Sequence, residues 1–103
     1  MKYCLVLQFP ATKVDDFDAL VKLESSIEDR IKAIADVDGH DFGSGEMNVF
    51  IFCEDPQKVF YECKNVVSEM NLLSNLRAAF RERHGNEYTN IWPLNSSRPF
   101  KIK

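Results

Sequence analysis

The segment from Asp36 to Asp41 holds the residues whose types and spacing could carry chemistry. It reads Asp-Val-Asp-Gly-His-Asp. In an extended strand Asp36, Asp38 and His40 would point the same way, within reach of one shared cation. A calcium loop of the EF-hand type needs a later glycine and a closing glutamate, and both are missing. The pattern is compatible with a metal site, with a partner-binding surface and with a polar turn before an edge strand. We assign no metal ligand.

The other short motifs do not indicate catalysis or a cofactor. Gly43-Ser44-Gly45 has the composition of a phosphate loop, but such a loop precedes a helix and an apolar strand follows here. We interpret it as a bulge or a tight turn. His40 and His84 are the only histidines, and no pattern places either beside a reactive cysteine. We assign no catalytic residue and no cofactor.

Cys4, Cys53 and Cys63 are odd in number and lack C-x-x-C spacing. Each lies in an apolar pattern, so we expect three buried free thiols in a reducing compartment. No stretch approaches the roughly 20 apolar residues of a membrane span, and the first residues have no secretory pattern. We therefore expect a soluble cytoplasmic protein without a membrane partner.

Charge is distributed unevenly along the chain. The net charge is −7 through Gln57 and +4 afterwards, which gives −3 in total. No basic residue occurs between Lys32 and Lys58. This acidic segment contains Asp36, Asp38, Asp41, Glu46, Glu54 and Asp55. It would repel phosphates, so we do not expect nucleic acid to bind there. Together with His40, these residues are the candidate partner-binding set for a protein with a basic surface; an ordinary solvated loop is the alternative.

Hydrophobic periodicity predicts two helices among several strands. The predicted elements are, in order, strand Lys2–Phe9, helix Asp15–Ile34, bulged strand Asp36–Gly45, strand Met47–Cys53, helix Pro56–Met70 and hairpin Leu76–Trp92. The first strand is apolar on both faces, which indicates a central strand covered on both sides. Asp55 is the predicted N-cap of the second helix. A helix over 72–83 is the alternative to the first hairpin strand, and 94–103 is expected to be a loosely held tail.

This order predicts a single α+β domain over residues 1–103, a ferredoxin-like α/β plait. Right-handed crossovers would place both helices on one face of an antiparallel sheet, and the C-terminal hairpin would complete it. A chain of 103 residues is long enough to bury a core without disulfides or metals.

This layout carries a resemblance through two stretches, Asp38–Ile51 and Tyr88–Pro93. It resembles small uncharacterised bacterial α/β-plait proteins of the immunity-protein kind. Immunity proteins are encoded beside a secreted toxin and block it in the cytoplasm. The resemblance implies a protein partner, such as a toxin domain, and no active-site residue.

Three hypotheses follow from the sequence. The first is a non-enzymatic protein-binding module, in its sharpest form a toxin inhibitor acting through the acidic segment. The second is a small-molecule enzyme or ligand sensor that uses Asp38, His40 and Asp41. The third is an RNA-binding plait with a basic and aromatic hairpin surface. That surface would comprise Arg77, Phe80, Arg81, Arg83 and Tyr88. A homodimer is compatible with each.

Overall fold

The computed structural model describes residues 1–102 and contains two α-helices and a five-stranded antiparallel sheet. The elements are β1 (Tyr3–Pro10), α1 (Val14–Ile31), β2 (Ala35–Gly43), β3 (Glu46–Cys53), α2 (Pro56–Glu69), a 3₁₀ turn (Leu73–Asn75), β4 (Arg77–Glu82) and β5 (Thr89–Trp92). The strand order is β2-β3-β1-β4-β5. β3 lies between β1 and β2, which is the split βαβ arrangement of a ferredoxin-like plait. The predicted fold class is confirmed, with β5 extending the sheet beside β4.

β1 is the central strand, as its apolar alternation predicts. It pairs with β3 on one side and with β4 on the other. Leu5, Leu7 and Phe9 belong to the main core, on what we call the helix face of the sheet. Cys4 and Val6 point the other way, into a second cluster that includes Phe100 from the C-terminal tail. We call this side the tail face. β1 is therefore buried on both faces.

Both helices contribute to the main core. α1 buries Leu20, Leu23, Ile27 and Ile31, and α2 buries Pro56, Val59, Phe60, Cys63, Val66 and Val67. These side chains form one cluster with Leu5, Leu7 and Phe9 of β1. α1 and α2 also contact each other. This shared core is what a plait with two helices over one sheet face requires.

The helix starts follow from their polar residues. The backbone N–H groups of Thr12 and Lys13 both donate to the Asp16 carboxylate at 3.1 Å, which satisfies donors before the first turn of α1. At α2 the Asp55 side chain accepts from the Lys58 N–H at 3.1 Å, and Pro56 occupies the first turn. The predicted N-cap of α2 is confirmed.

α1 ends three residues earlier than the periodicity predicts, at Ile31 instead of Ile34. The Ile34 N–H donates to the Ile31 carbonyl at an N···O distance of 2.8 Å, which closes a turn after the helix. The turn is needed because Ala35 must lie opposite Cys53 at the start of β2. Sheet pairing therefore overrides the local helical pattern.

β2 and β3 form a hairpin whose turn uses Ser44 and Gly45. Both residues have positive φ, 54° and 80°, which is the backbone of a type I′ turn. The predicted tight turn is thus present. β2 also has an irregularity between Val37 and Gly39. Gly39 has φ of 145°, a conformation that residues with a Cβ rarely adopt, and this accounts for the predicted bulge.

The predicted C-terminal hairpin is present as β4 and β5, whereas the alternative helix over 72–83 is not. Helical structure there is limited to the 3₁₀ turn Leu73–Asn75. β4 then pairs with β1, so that Ala78 lies opposite Leu7 and joins the main core. The free energy gained by pairing and burying β4 in the sheet outweighs the helix propensity of this stretch.

The segment after β5 is held on the sheet around Phe100, more closely than the loosely held tail expected for 94–103; residue 103 lies outside the described residues. Phe100 is only 7% exposed and covers Cys4 and Val6 on the tail face. Its ring lies 4.9 Å from that of Tyr88. The two-sided apolar pattern of β1 requires such a cover, and the tail provides it.

The three cysteines are free and buried, as predicted. Burial raises the pKa of the Cys53 thiol to about 11 and that of Cys63 to about 12. Burial also raises the pKa of Cys4, although the nearby Arg81 partly opposes the shift. All three thiols are therefore protonated at neutral pH and are poor nucleophiles there.

Replacing Phe60 with alanine should destabilise the protein strongly. Phe60 is 5% exposed, and truncation of a buried phenylalanine costs about 3–5 kcal/mol. Tyr61→Ala is the matched control, because Tyr61 is the next residue of α2 and is 61% exposed. Urea unfolding measures both variants. Equal, small losses of unfolding free energy would contradict the assigned face of α2.

Stability should fall in alkaline solution as the buried thiols ionise. The pKa values of Cys53 and Cys63 in the folded state lie above the ordinary value of 9.0. The unfolded chain therefore loses these protons first. The contribution of the two protonated thiols to the free energy of unfolding is complete below pH 9 and is lost as pH rises towards 11 to 12. Urea midpoints at about pH 8 and about pH 10.5 should differ less for Cys63→Ala than for the unchanged protein. An identical difference would show that Cys63 does not contribute.

Candidate functional site: an acidic edge strand

β2 is an edge strand of the sheet and carries exposed carboxylates. Among residues 1–102, only β3 pairs with it. Asp36, Asp38 and Asp41 are all exposed, and we call these three residues the acidic edge. Asp36 lies opposite Phe52 and Asp41 opposite Asn48, so both side chains lie on the tail face. Asp38 lies at the bulge between them. The bulge thus displays three carboxylates along one open edge.

His40 lies on the opposite side of β2 from Asp41. It is opposite Val49, on the helix face. Its Nδ1 lies 3.0 Å from Oε1 of Glu24 on α1, and its ring meets Phe17 edge-on at 5.8 Å. His40 therefore connects β2 to α1. Asp36 and Asp41 lie on the other face of the sheet. The structure therefore does not bring Asp36, Asp38 and His40 together in the shared cation site that their spacing allowed, nor Asp38, His40 and Asp41 in one catalytic group.

Glu54 and Asp55 follow β3, at the end of the sheet where β2 begins. Both are exposed. Glu54 lies 3.9 Å from the amino group of Met1, and the Asp55 side chain caps α2. They extend the negative surface beyond Asp36. Asp55 is also needed to cap α2, so its presence does not require a role in partner binding.

Glu46 does not share this exposed surface, although the sequence groups it with the other acids. It is 7% exposed and lies on the tail face. Its Oε2 accepts from Gln8 Nε2 at 3.1 Å and from Asn48 Nδ2 at 3.0 Å. Gln8 Nε2 is also 3.0 Å from Asn48 Oδ1. A buried carboxylate needs such donors because leaving it unpaired would be costly.

Sequence reasoning did not select Gln8 and Asn48, which form this buried polar cluster with Glu46. The two residues are directly opposite each other in the pairing of β1 with β3. Each interrupts an apolar strand, and the pair of interruptions is the sequence feature that could have revealed them. Only the register shows that they meet.

The basic and aromatic residues considered for RNA binding are divided between the two faces. Arg77 and Arg81 lie on the tail face, opposite Gln8 and Cys4. Phe80 packs against the main core and so lies on the helix face. Tyr88 is occupied by its contact with Phe100 on the tail face. These residues therefore do not form one exposed stacking platform.

Within residues 1–102, no group of three or more His, Cys, Asp or Glu side chains is arranged to hold a metal ion. No helix in the same range has the length and apolar character needed to cross a bilayer.

No protein-family model matches this chain, and no curated protein is significantly similar to it. The resemblance to immunity proteins stays a prediction. The function must therefore be inferred from the geometry of the chain itself.

Replacing Glu46 should lower the free energy of unfolding more than replacing Asp41, because only Glu46 is buried. Glu46→Ala removes the acceptor shared by Gln8 and Asn48 and leaves the buried Asn48 Nδ2 without its acceptor, which costs about 1–3 kcal/mol. Asp41→Ala should change stability little, because Asp41 is exposed. Chemical unfolding of the two variants checks this. A loss for Asp41→Ala as large as that for Glu46→Ala would contradict the distinction.

Proposed function

We propose that this protein is a non-enzymatic protein-binding module whose acidic edge recognises a basic surface on its partner. The observation that carries the proposal is the open strand β2 with Asp36, Asp38 and Asp41 exposed along it. In its sharpest form, the protein is a cytoplasmic bacterial immunity protein that occludes the basic substrate groove of a toxin.

The backbone of β2 supports this proposal. An edge strand has unpaired N–H and C=O groups that an extended segment of another chain can pair with. Two copies of the acidic edge would repel each other, since like charges would meet across the new strand pair. A basic partner would be attracted to the same edge. The charge pattern therefore favours a different protein over a second copy at β2.

The same edge also exposes an aromatic residue, on the helix face rather than on the tail face of Asp36 and Asp41, where it could anchor a partner that pairs along β2. Phe42 is 45% exposed at the end of β2, and its ring packs on Phe17 of α1 at 5.0 Å. Val14, in the first turn of α1, is 76% exposed. Partly exposed aromatic residues surrounded by polar groups are typical anchors in protein interfaces. In this proposal Phe42 supplies apolar contact and the acidic edge supplies orientation and encounter rate.

The alternative of an enzyme or ligand sensor built on Asp38, His40 and Asp41 has less support. His40 is engaged by Glu24 on the helix face. Asp41 lies on the tail face. A general acid–base pair would need both groups to reach one substrate. The RNA-binding alternative also has less support, because Phe80 lies on the helix face whereas Arg77 and Arg81 lie on the tail face.

Reversing charge at the acidic edge should weaken partner binding without unfolding the domain. The protein is used to capture partners from its native cytoplasm, and captured proteins are identified and then titrated as purified components. With Asp38→Lys and Asp41→Lys combined, the association rate should fall about tenfold or more at low salt and less at high salt. The physical reason is the loss of steering between opposite charges.

Glu28→Lys combined with Glu87→Lys is the matched control. It makes the same change in net charge at exposed positions outside β2. Its association rate should stay closer to that of the unchanged protein. Circular dichroism verifies that both double variants are folded. Equal loss of rate in the two variants, or capture of RNA in place of a protein, would overturn the acidic edge as the recognition surface.

A further inference from the structure

A cleft opens at the end of the sheet where β1 ends and β3 and β4 begin. Its volume is about 460 Å³, which is within the range of small-molecule sites. The sheet and its connections contribute Gln8, Phe9, Pro10, Gly45, Glu46, Asn75 and Arg77, and the C-terminal tail contributes Arg98, Pro99 and Lys101. The cleft is distinct from the acidic edge and does not depend on the proposed function.

The tail wall of the cleft is held by side chains from three strands. The Arg98 carbonyl accepts from the Arg77 guanidinium at 3.0 Å and from Asn90 Nδ2 at 2.9 Å. The Lys101 carbonyl accepts from Gln8 Nε2 at 2.8 Å. Phe100, between these two anchors, is buried on the tail face. These contacts fix the backbone of the wall while leaving its basic side chains available.

Three basic residues line this cleft. Arg77 comes from β4, whereas Arg98 and Lys101 come from the tail. Among residues 1–102, the guanidinium of Arg98 and the ammonium of Lys101 make no hydrogen bond or ion pair with a side chain or carbonyl. Two tail cations are thus placed beside a concave surface without an internal counter-ion from the described chain.

The opposite wall of the cleft is polar and negative. Glu46 and Gln8 line it and belong to the buried cluster that includes Asn48. The Glu46 carboxylate disfavours an anion at this wall, because like charges repel across a short distance. The anionic group of a ligand is therefore expected to lie on the tail side, near Arg98 and Lys101.

We propose that this cleft binds a small organic anion through a phosphate or carboxylate group held by Arg77, Arg98 and Lys101. A guanidinium can donate two parallel hydrogen bonds to either group, and a lysine adds a point charge. The volume favours a small molecule. Phe9, Pro10 and Pro99 also line the cleft and offer apolar contact to the organic part of the ligand.

Titration followed by ¹H–¹⁵N NMR tests the proposal on the full chain. Inorganic phosphate and citrate are added separately at constant ionic strength, as phosphate and carboxylate probes. At least one should shift the Gln8 side-chain amide and the Gly45 backbone amide in a saturable way. The combined variant Arg98→Gln and Lys101→Gln should weaken that binding about tenfold or more, since it removes two charge-assisted contacts.

The variant should remain folded, because the two side chains it alters have no partner to lose within residues 1–102. Lys22→Gln combined with Lys58→Gln is the control, with the same loss of charge at exposed positions on α1 and α2. Absence of saturable shifts for both probes up to about 10 mM, or equal weakening in the two double variants, would overturn the proposal. A short oligouridine that moves the same resonances when neither small anion does would also overturn it, in favour of nucleic acid.

Discussion

The structure depends on burying both faces of one strand. β1 pairs on both sides, and its side chains alternate between the helix face and the tail face. Two helices supply one cover, and a short C-terminal segment around Phe100 supplies the other. Because the second cover is an irregular segment, it needs side-chain hydrogen bonds to hold its backbone. Those bonds from Gln8, Arg77 and Asn90 create the cleft wall.

The same architecture separates the charges. The chain passes from an acidic part to a basic part, and the strand order places β2 at one edge and β4 with the tail on the other side of β1. Carboxylates at an open edge also oppose pairing between identical edges. The protein thus presents a negative edge, where we propose that a basic macromolecule binds, and a cleft lined by three basic residues, where we propose that a small anion binds. These are independent surfaces, and each could operate without the other.

Glu46 illustrates how burial changes the role of a charged residue. It is part of the same acidic segment as Asp41, yet its carboxylate accepts hydrogen bonds from two buried amides. Asp41 is exposed. A carboxylate in the interior orders its neighbours, because its donors must be kept in place, whereas an exposed one mainly contributes to the surface potential. Charge density in the sequence therefore overstates the number of acids available to a partner.

The sequence by itself determined the elements, the plait class, the cap at Asp55 and the buried thiols, because these depend on local periodicity and on near neighbours in the chain. It also identified β2 as acidic and bulged. It predicted the strand at 77–82 but left a helix there as the alternative, and it did not determine the end of α1, the packing of Phe100 or the burial of Glu46. Each of these was decided by contacts between distant residues, such as Ala35 with Cys53 and Gln8 with Lys101. The candidate cleft combines residues that are up to 93 positions apart, so only the tertiary structure could bring its charges together.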